Sequence, residues 1–385
     1  VGWRTNLVNQ GIDKDGMLRS RYNGGAESYL PTSYRVNHAP SMTELANGDL
    51  LAVWFAGHTE EGRSDIEIVM SRLKAGDLQW SEPVRVSDDD TRSEQNPVLF
   101  EAPDGRLLLM YTAQEAASMS RAEFKKLYPN GTFTRQETAV IRCRESADNG
   151  YTWGPARTMF ETEGSFCRAP IHVAADGSWL FPMWYSKADG QTEYGSDYSV
   201  IQRSVDEGKT WEEIPVPNSR GRVHASLISG EGAKMQAFFR SRAADRIYVS
   251  ESSDLGRTWS EPERTVLPNN NASIRAIRLQ SGRLAVIYNH ASANDNPELT
   301  VWPKVRYPVT VALSEDGGLT WPYRRVIEGG DGFCGEANEA LNRRYEYPWL
   351  TQTKDGLLHA SFAYGGREGI KHIVLTEAWV RGTEQ

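Results

Sequence analysis

The chain has 385 residues, of which 39% are hydrophobic and 24% charged, with a formal net charge of −8. That composition supports a globular core and offers nucleic acid no overall basic face, although a basic pocket can sit inside an acidic protein. No apolar run reaches the ~18 residues a membrane helix needs, and neither CxxC nor His-rich metal spacing occurs, so no metal or cofactor is expected.

In chain order, residues 1–35 read as a segment that completes a ring, with a strand expected at Trp3 to Asn9. Turn glycines Gly48, Gly105, Gly177, Gly232, Gly282 and Gly356 then each precede a short apolar strand, for example Leu50 to Phe55, Leu107 to Tyr111, Trp179 to Trp184 and Leu284 to Tyr288. Interleaved with them, Ser-x-Asp-x-Gly-x-Thr-Trp occurs at Ser146 to Trp153, Ser204 to Trp211, Ser252 to Trp259 and Ser314 to Trp321. Ser71 to Trp80 is a degraded copy that keeps Trp80-Ser-Glu-Pro83. In this box Ser and Asp bond the turn backbone, Gly supplies the positive-φ corner and Trp packs between sheets.

Each unit reads strand, Gly turn, strand, linker, strand, box, strand, and six such units fit between Val36 and Val380. The expected fold is an all-β propeller of four-stranded antiparallel blades over residues 1–385, six by count, or seven if residues 1–35 add one. A last strand is expected at His372 to Val380.

The inner strand of each blade lines the channel, and its start opens on one face. Ten residues before each turn glycine stand His38, Gln95, Cys167, Arg222, Ala272 and Glu346, and matching Pro170 to Pro40, Pro97 and Pro348 replaces Cys167 by Arg168. Polar groups at equivalent strand starts are poor core material. Asn96, Tyr345, Tyr347, His224, Arg275, Arg240, Arg242, His290 and His58 are expected at the same mouth. This gathering of Arg and His points to a carboxylate-bearing ligand, because guanidinium forks match carboxylates.

The Asp boxes and blade pattern resemble the sialidase superfamily over nearly the whole chain. The resemblance implies an Arg-Ile-Pro clamp arginine, a Tyr–Glu nucleophile pair and an Asp acid. Here His38-Ala39-Pro40 stands at the clamp position, and the acid loop carries His58 with Asp65 nearby. The chain also resembles sialidase-like polysaccharide lyases, including ulvan lyases and fungal L-rhamnose-α-1,4-D-glucuronate lyases. That resemblance implies a His pair about twenty residues apart, matched by His38 and His58, and a Tyr–Arg pair about sixteen apart, matched by Tyr128 and Arg144.

The chemistry so implied is β-elimination at a 4-linked uronic acid. Arg168, Arg222, Gln95 or Asn96 would neutralise the carboxylate, and His38 and His58 would serve as base and acid, with Tyr128 or Tyr345 able to take one of those roles. The competing readings are a glycoside hydrolase drawing on Glu346, Asp65 or Glu94, and a lectin-like propeller without turnover. The expected partner is an acidic polysaccharide or oligosaccharide, not nucleic acid or membrane, bound by a monomer. Secretion is expected from the start at Val1 and from the sequons at Asn130 and Asn271. Cys143, Cys167 and Cys334 allow one disulfide or none.

Overall fold

The computed structural model describes residues 13–129, 131–187, 194–329 and 344–383. They form six sheets, mostly four-stranded and antiparallel, arranged as the blades of a propeller. Blade one comprises Val36–Glu44, Leu50–Gly57, Glu67–Leu73 and Val84–Arg85, and blade two Arg92–Glu101, Leu107–Glu115, Val140–Ser146 and Arg157–Phe160. Blade three has a divided inner strand, Ser165–Cys167 and His172–Val173, followed by Trp179–Tyr185, Tyr198–Ser204 and Glu212–Pro215. Blade four is Arg222–Ser229, Met235–Ser241, Arg246–Ser252 and Glu263–Pro268, and blade five Arg275–Arg278, Leu284–Asn289, Val309–Ser314 and Tyr323–Glu328. Blade six contributes Glu346–Gln352, Leu358–Tyr364 and Gly369–Leu375.

Blade six is completed by the N-terminal side of the chain, though not by the expected stretch. Ala26–Tyr29 pairs antiparallel with Gly369–Leu375, Ala26 opposite Val374 and Tyr29 opposite Lys371, and Arg19–Ser20 adds a short outer strand. Trp3 to Asn9 lies outside the described residues. The strand expected to run to Val380 stops at Leu375, where the Thr376 side chain caps a short helix, Glu377–Arg381. Closure is reinforced by Trp80 of the degraded box, which donates from Nε1 to His372 Nδ1 at 3.1 Å and so joins blade one to blade six.

The four boxes share one bonding scheme. In the first, Ser146 Oγ accepts from the Gly150 amide at 2.9 Å and donates to Asp148 Oδ1 at 2.8 Å, while Asp148 accepts from the Thr152 amide and hydroxyl at 2.8 and 2.6 Å. Asn149, Glu207 and Leu255 precede their box glycines with φ of 59°, 60° and 60°, so each turn holds two successive left-handed residues. Cores of apolar side chains fill the spaces between blades, with Trp179, Trp259 and Trp321 buried among them.

The inner strands carry the feature that shapes the site. Ladder register breaks between His38 and Ser41, Gln95 and Val98, Val223 and Ser226, and Glu346 and Trp349. At these bulges Ala39, Asn96, His224 and Tyr347 hold φ of 54°, 51°, 56° and 51°. Pro40, Pro97 and Pro348 follow three of them, where a residue without an N–H leaves no donor unpaired. The bulges re-aim side chains at the channel mouth.

Candidate functional site

Blade three faces blade six across the ring, and Arg168 spans the gap. Its Nη2 donates to the carbonyls of Pro40 at 2.8 Å and Tyr347 at 3.2 Å, its Nη1 to Ala39 O at 3.4 Å, and its Nε to Ser273 Oγ at 3.3 Å. It is 2% exposed and burial brings its pKa down to about 9, so the group is a buried cross-tie between blades, bonded to neutral partners. It separates a mouth above from the turn-glycine half of the channel below.

The mouth is organised on Tyr347, which the bulge of blade six leaves partly exposed. Arg240 Nη1 donates to the Tyr347 hydroxyl at 2.7 Å and to His224 Nε2 at 3.2 Å, and Arg240 Nε donates to Asn271 Oδ1 at 2.8 Å. Because a guanidinium only donates, His224 Nε2 is the acceptor and its Nδ1–H faces Ser273 Oγ at 3.1 Å. Burial opposes ionisation of the Tyr347 phenol, yet Arg240, Arg306 and Arg242 outweigh burial and the opposing Glu61 and hold it below its ordinary value.

Beneath the phenol lies Glu346. Its Oε1 accepts from Arg344 at 2.7 Å, and its Oε2 from Arg367 Nε at 3.0 Å and Arg306 Nη1 at 3.5 Å. Burial disfavours the carboxylate, but these cations win and keep it ionised. Arg367 also grips Glu61 at 2.6 Å. His38 Nδ1 is 3.7 Å from Glu346 Oε2 without a hydrogen bond, and burial together with Arg367 keeps the imidazole neutral against the pull of Glu346. Its ring lies 4.2 Å from that of Tyr347. At the rim, Trp302 is 40% exposed and lies 4.9 Å from the Arg242 guanidinium, which pairs with Asp197 at 2.6 Å. Among the described residues, Arg240, Arg242, Arg306, Arg344 and Arg367 face the carboxylates of Glu61, Glu346 and Asp197, a positive surplus suited to an anionic ligand.

The structure brings His38, His224, Arg240, Arg242, Glu346 and Tyr347 together, sets Arg168 beneath them and disperses the others. His58 is exposed and stacks on Tyr34, ring centres 5.0 Å apart, while Asp65 accepts from the His58 and Thr59 amides. Tyr128 caps the helix Arg121–Leu127 and is 55% exposed. Arg144 is a turn anchor, donating to the carbonyls of Gly154, Val86 and Trp153 at 2.6, 2.8 and 3.1 Å. Gln95 and Asn96 are buried at the bulge of blade two, Gln95 bonding Ser93 Oγ at 3.4 Å and Asn96 receiving the Cys167 thiol on its carbonyl.

Arg222 was misplaced by glycine counting. Gly232 stands third in its five-residue turn, whereas Gly48, Gly105 and Gly356 stand fourth, so Val223, opposite Arg240, is the equivalent of His38. Arg222 instead lies 3.9 Å over the Tyr248 ring and lines a neighbouring cavity with Arg220, Pro297 and Arg242. Arg275 lies in the turn-glycine half of the channel, 4.6 Å over Trp349. Tyr345 is buried edge-on to Phe362, and His290 meets the Tyr288 hydroxyl at 2.5 Å. Glu94 is buried with both carboxyl oxygens unpartnered and its pKa pushed up to about 8 by burial. Asn271 is 0% exposed and bonded to Arg240 and Val301, so its sequon is closed to glycosylation in the fold, and Asn130 lies outside the described residues. Cys143 and Cys167 are buried free thiols, and Cys334 lies outside the described residues.

Glu61, Trp302, Arg306 and Arg367 escaped the sequence reading. All four sit on loops or turns outside the repeat phase, and Arg306 and Trp302 share one long connection, 290–308, between two strands of blade five. A connection of that length inside a blade was the available signal.

Residues 48–360 match the model of the BNR repeat-like domain. A sialidase of Bacteroides fragilis (strain YCH46) is 26% identical over 207 residues, which span 48% of this chain and 34% of that protein, so the match covers about a third of the relative's length. Among solved structures, the Hadza microbial sialidase Hz136 superposes with a TM-score of 0.68 at 17% identity over 89% of this chain and 66% of its own. A protein of unknown function from Dyadobacter fermentans DSM 18053 gives 0.69 at 17% identity over 90% and 97%, and the NanB sialidase from Streptococcus pneumoniae 0.67 at 14% over 95% and 71%. These structural likenesses are likenesses of fold.

Proposed function

The chain belongs to the BNR repeat-like domain family, and from that premise we propose that this sialidase-like propeller is a glycoside hydrolase releasing a terminal carboxylate-bearing sugar of the sialic acid class. The observation that carries the reading is the Tyr347 hydroxyl, partly exposed in a cationic mouth and held 2.7 Å from Arg240 with its pKa depressed. The sialidases among its relatives support this choice of substrate class.

In this mechanism Tyr347 reacts as the phenolate that Arg240, Arg306 and Arg242 favour, its oxygen attacking the anomeric carbon as the glycosidic C–O bond breaks. Arg306 holds the sugar carboxylate, and the charges of Arg240 and Arg242, buried behind it, add to the attraction. Glu61, on the loop after the second strand of blade one, acts from its protonated form, giving that proton to the leaving oxygen and pairing with Arg367 as the carboxylate that results. Water then attacks the anomeric carbon, its proton passing to Glu61, and the bond to Tyr347 breaks. Neutral His38 and His224 brace the phenol and Arg240 without carrying charge.

A second reading, elimination at a 4-linked uronic acid, is favoured by His38 at the clamp position, its ring 4.2 Å from that of Tyr347. Tyr347 would then remove the C5 proton, with the same arginines neutralising the uronate. Incubation with sialyl-lactose and with a rhamnose–glucuronate oligosaccharide, followed by product mass, separates the two. Free sialic acid supports hydrolysis, and an unsaturated product lighter by one water overturns it in favour of elimination. Glycan binding without any turnover would leave a lectin. Secretion and a monomeric state belong to the same proposal, because an acidic glycan is an extracellular substrate and the mouth is assembled within one chain.

A further inference from the structure

On the turn-glycine side of Arg168, the channel holds a second guanidinium. Among the described residues Arg275 makes no hydrogen bond and no ion pair. Its guanidinium rests 4.6 Å over the ring of Trp349, and its Nε is buried without an acceptor. A buried donor without a partner is rare in native structures and calls for a physical reason. Arg142, Arg203 and Arg240 also leave one buried nitrogen unpartnered, but each bonds through another, to Thr158, Asp176 and Tyr347, and Arg381 shares an unpartnered Nε with Arg275 while resting over Tyr323 outside the channel.

The surroundings deepen the imbalance. Arg168, the neighbouring cation, is bonded to neutral groups alone, and the two guanidinium groups repel. Ser226 stands on the adjacent inner strand at the same level, since Ser226 pairs with Phe238 as Arg275 pairs with Ile287, and its hydroxyl is also buried and unpartnered. His172, lower in the channel, is bonded to Ser229 Oγ at 2.7 Å and is held neutral by burial, with Arg275 adding to the effect. Two positive charges, an unused hydroxyl and no carboxylate partner make a site for negative charge. Arg275 keeps partial solvent access.

We infer that the turn-glycine half of the channel binds a single monovalent anion on Arg275 and Ser226, of halide size or the carboxylate end of a small acid. The anion neutralises the pair of guanidinium groups and ties blades four and five to Trp349 of blade six. This site is independent of the proposed hydrolysis and takes no part in it.

The test uses the whole protein in a buffer whose only anion is bulky, with bromide or acetate added at fixed ionic strength. The thermal midpoint of the wild type is expected to rise and saturate with one anion, while R275M shows no saturable rise. Bromide acting where acetate does not identifies a halide site, and acetate acting identifies a carboxylate site. Crystals soaked in bromide are expected to show an anomalous peak against Arg275 when the halide is the ligand. Identical responses of wild type and R275M overturn the inference. Should R275M fail to fold, the conclusion rests on the wild type alone, where no saturable rise with either anion, and no anomalous peak, overturns it.

Discussion

Arg240 and Tyr347 come from blades on different sides of the ring, 107 residues apart in sequence, and meet at 2.7 Å. The contact points a buried cation at a partly exposed phenol oxygen. It makes the phenol easier to ionise and fixes it in one orientation, which is what a nucleophile or base in this position requires.

Replacing that oxygen is expected to stop the reaction. Y347F should lower kcat by at least ~10³-fold with little change in thermal midpoint, because a group that forms the covalent bond has no substitute. The measurement is steady-state turnover alongside a melting curve. Turnover within tenfold of the wild type would remove Tyr347 from the mechanism.

Glu61 is expected to behave as a proton donor. E61Q should lose about 10²–10⁴-fold on a substrate with a poor leaving group and far less on an aryl glycoside whose leaving oxygen needs no proton. Equal losses on both substrates would assign Glu61 to holding Arg367 instead.

The pH profile follows from the electrostatics. Arg240, Arg306 and Arg242 lower the Tyr347 phenol below its ordinary value of 10, so activity that needs phenolate rises with pH through that depressed value. R306Q removes one cation, lets the phenol pKa climb, and should move the rising limb of kcat/KM to higher pH. A limb that stays in place would mean another group controls it.

Acid should act on the closure of the ring. Trp80 Nε1 only donates, so His372 Nδ1 accepts, and His372 Nε2–H faces His359 Nδ1 at 2.9 Å. Burial holds His359 down to about 4 and His372 well below 6.5, so both are neutral in the fold. With folded values below the unfolded one, the stabilisation is complete above about pH 6.5 and is lost as pH falls toward 4. Urea midpoints measured across that window should fall in the wild type and fall less in H372L.

The Asp boxes respond at still lower pH. Asp148, Asp206, Asp254 and Asp316 are each held near a pKa of about 2, chiefly by threonine hydroxyls and turn amides, against the ordinary 3.8. Their contribution is present above pH 4 and disappears as pH falls through 2. D316N is expected to flatten that part of the stability curve, as read from thermal midpoints between pH 4 and 2.

The propeller was legible because its repeats are short, local and chemically constrained. Asp148 and Gly150 bond their own turn, so the pattern survives in sequence and sets the phase of the strands. That phase located His38, Arg168, Glu346 and Tyr347 at the ends of inner strands. It failed at Arg222 because Gly232 occupies a different place in its turn, a shift of one residue that no composition reveals. It was silent about Arg306, Trp302 and Glu61, whose positions depend on loops that follow no repeat. His58 looked like a partner for His38 by spacing, but its ring turns outward onto Tyr34, and a spacing carries no direction.

The left-handed bulges at Ala39, Asn96, His224 and Tyr347 give the fold a set of interchangeable stations. His224 and Tyr347 serve the mouth from these stations while Ala39 and Asn96 are buried, and all four hold the same backbone whatever the side chain. A methyl group, an amide, an imidazole and a phenol occupy four of them here without altering the strands beneath. Chemistry in such a ring is therefore modular by position. A change of reaction requires new residues at a few stations, while the scaffold that aims them persists unchanged.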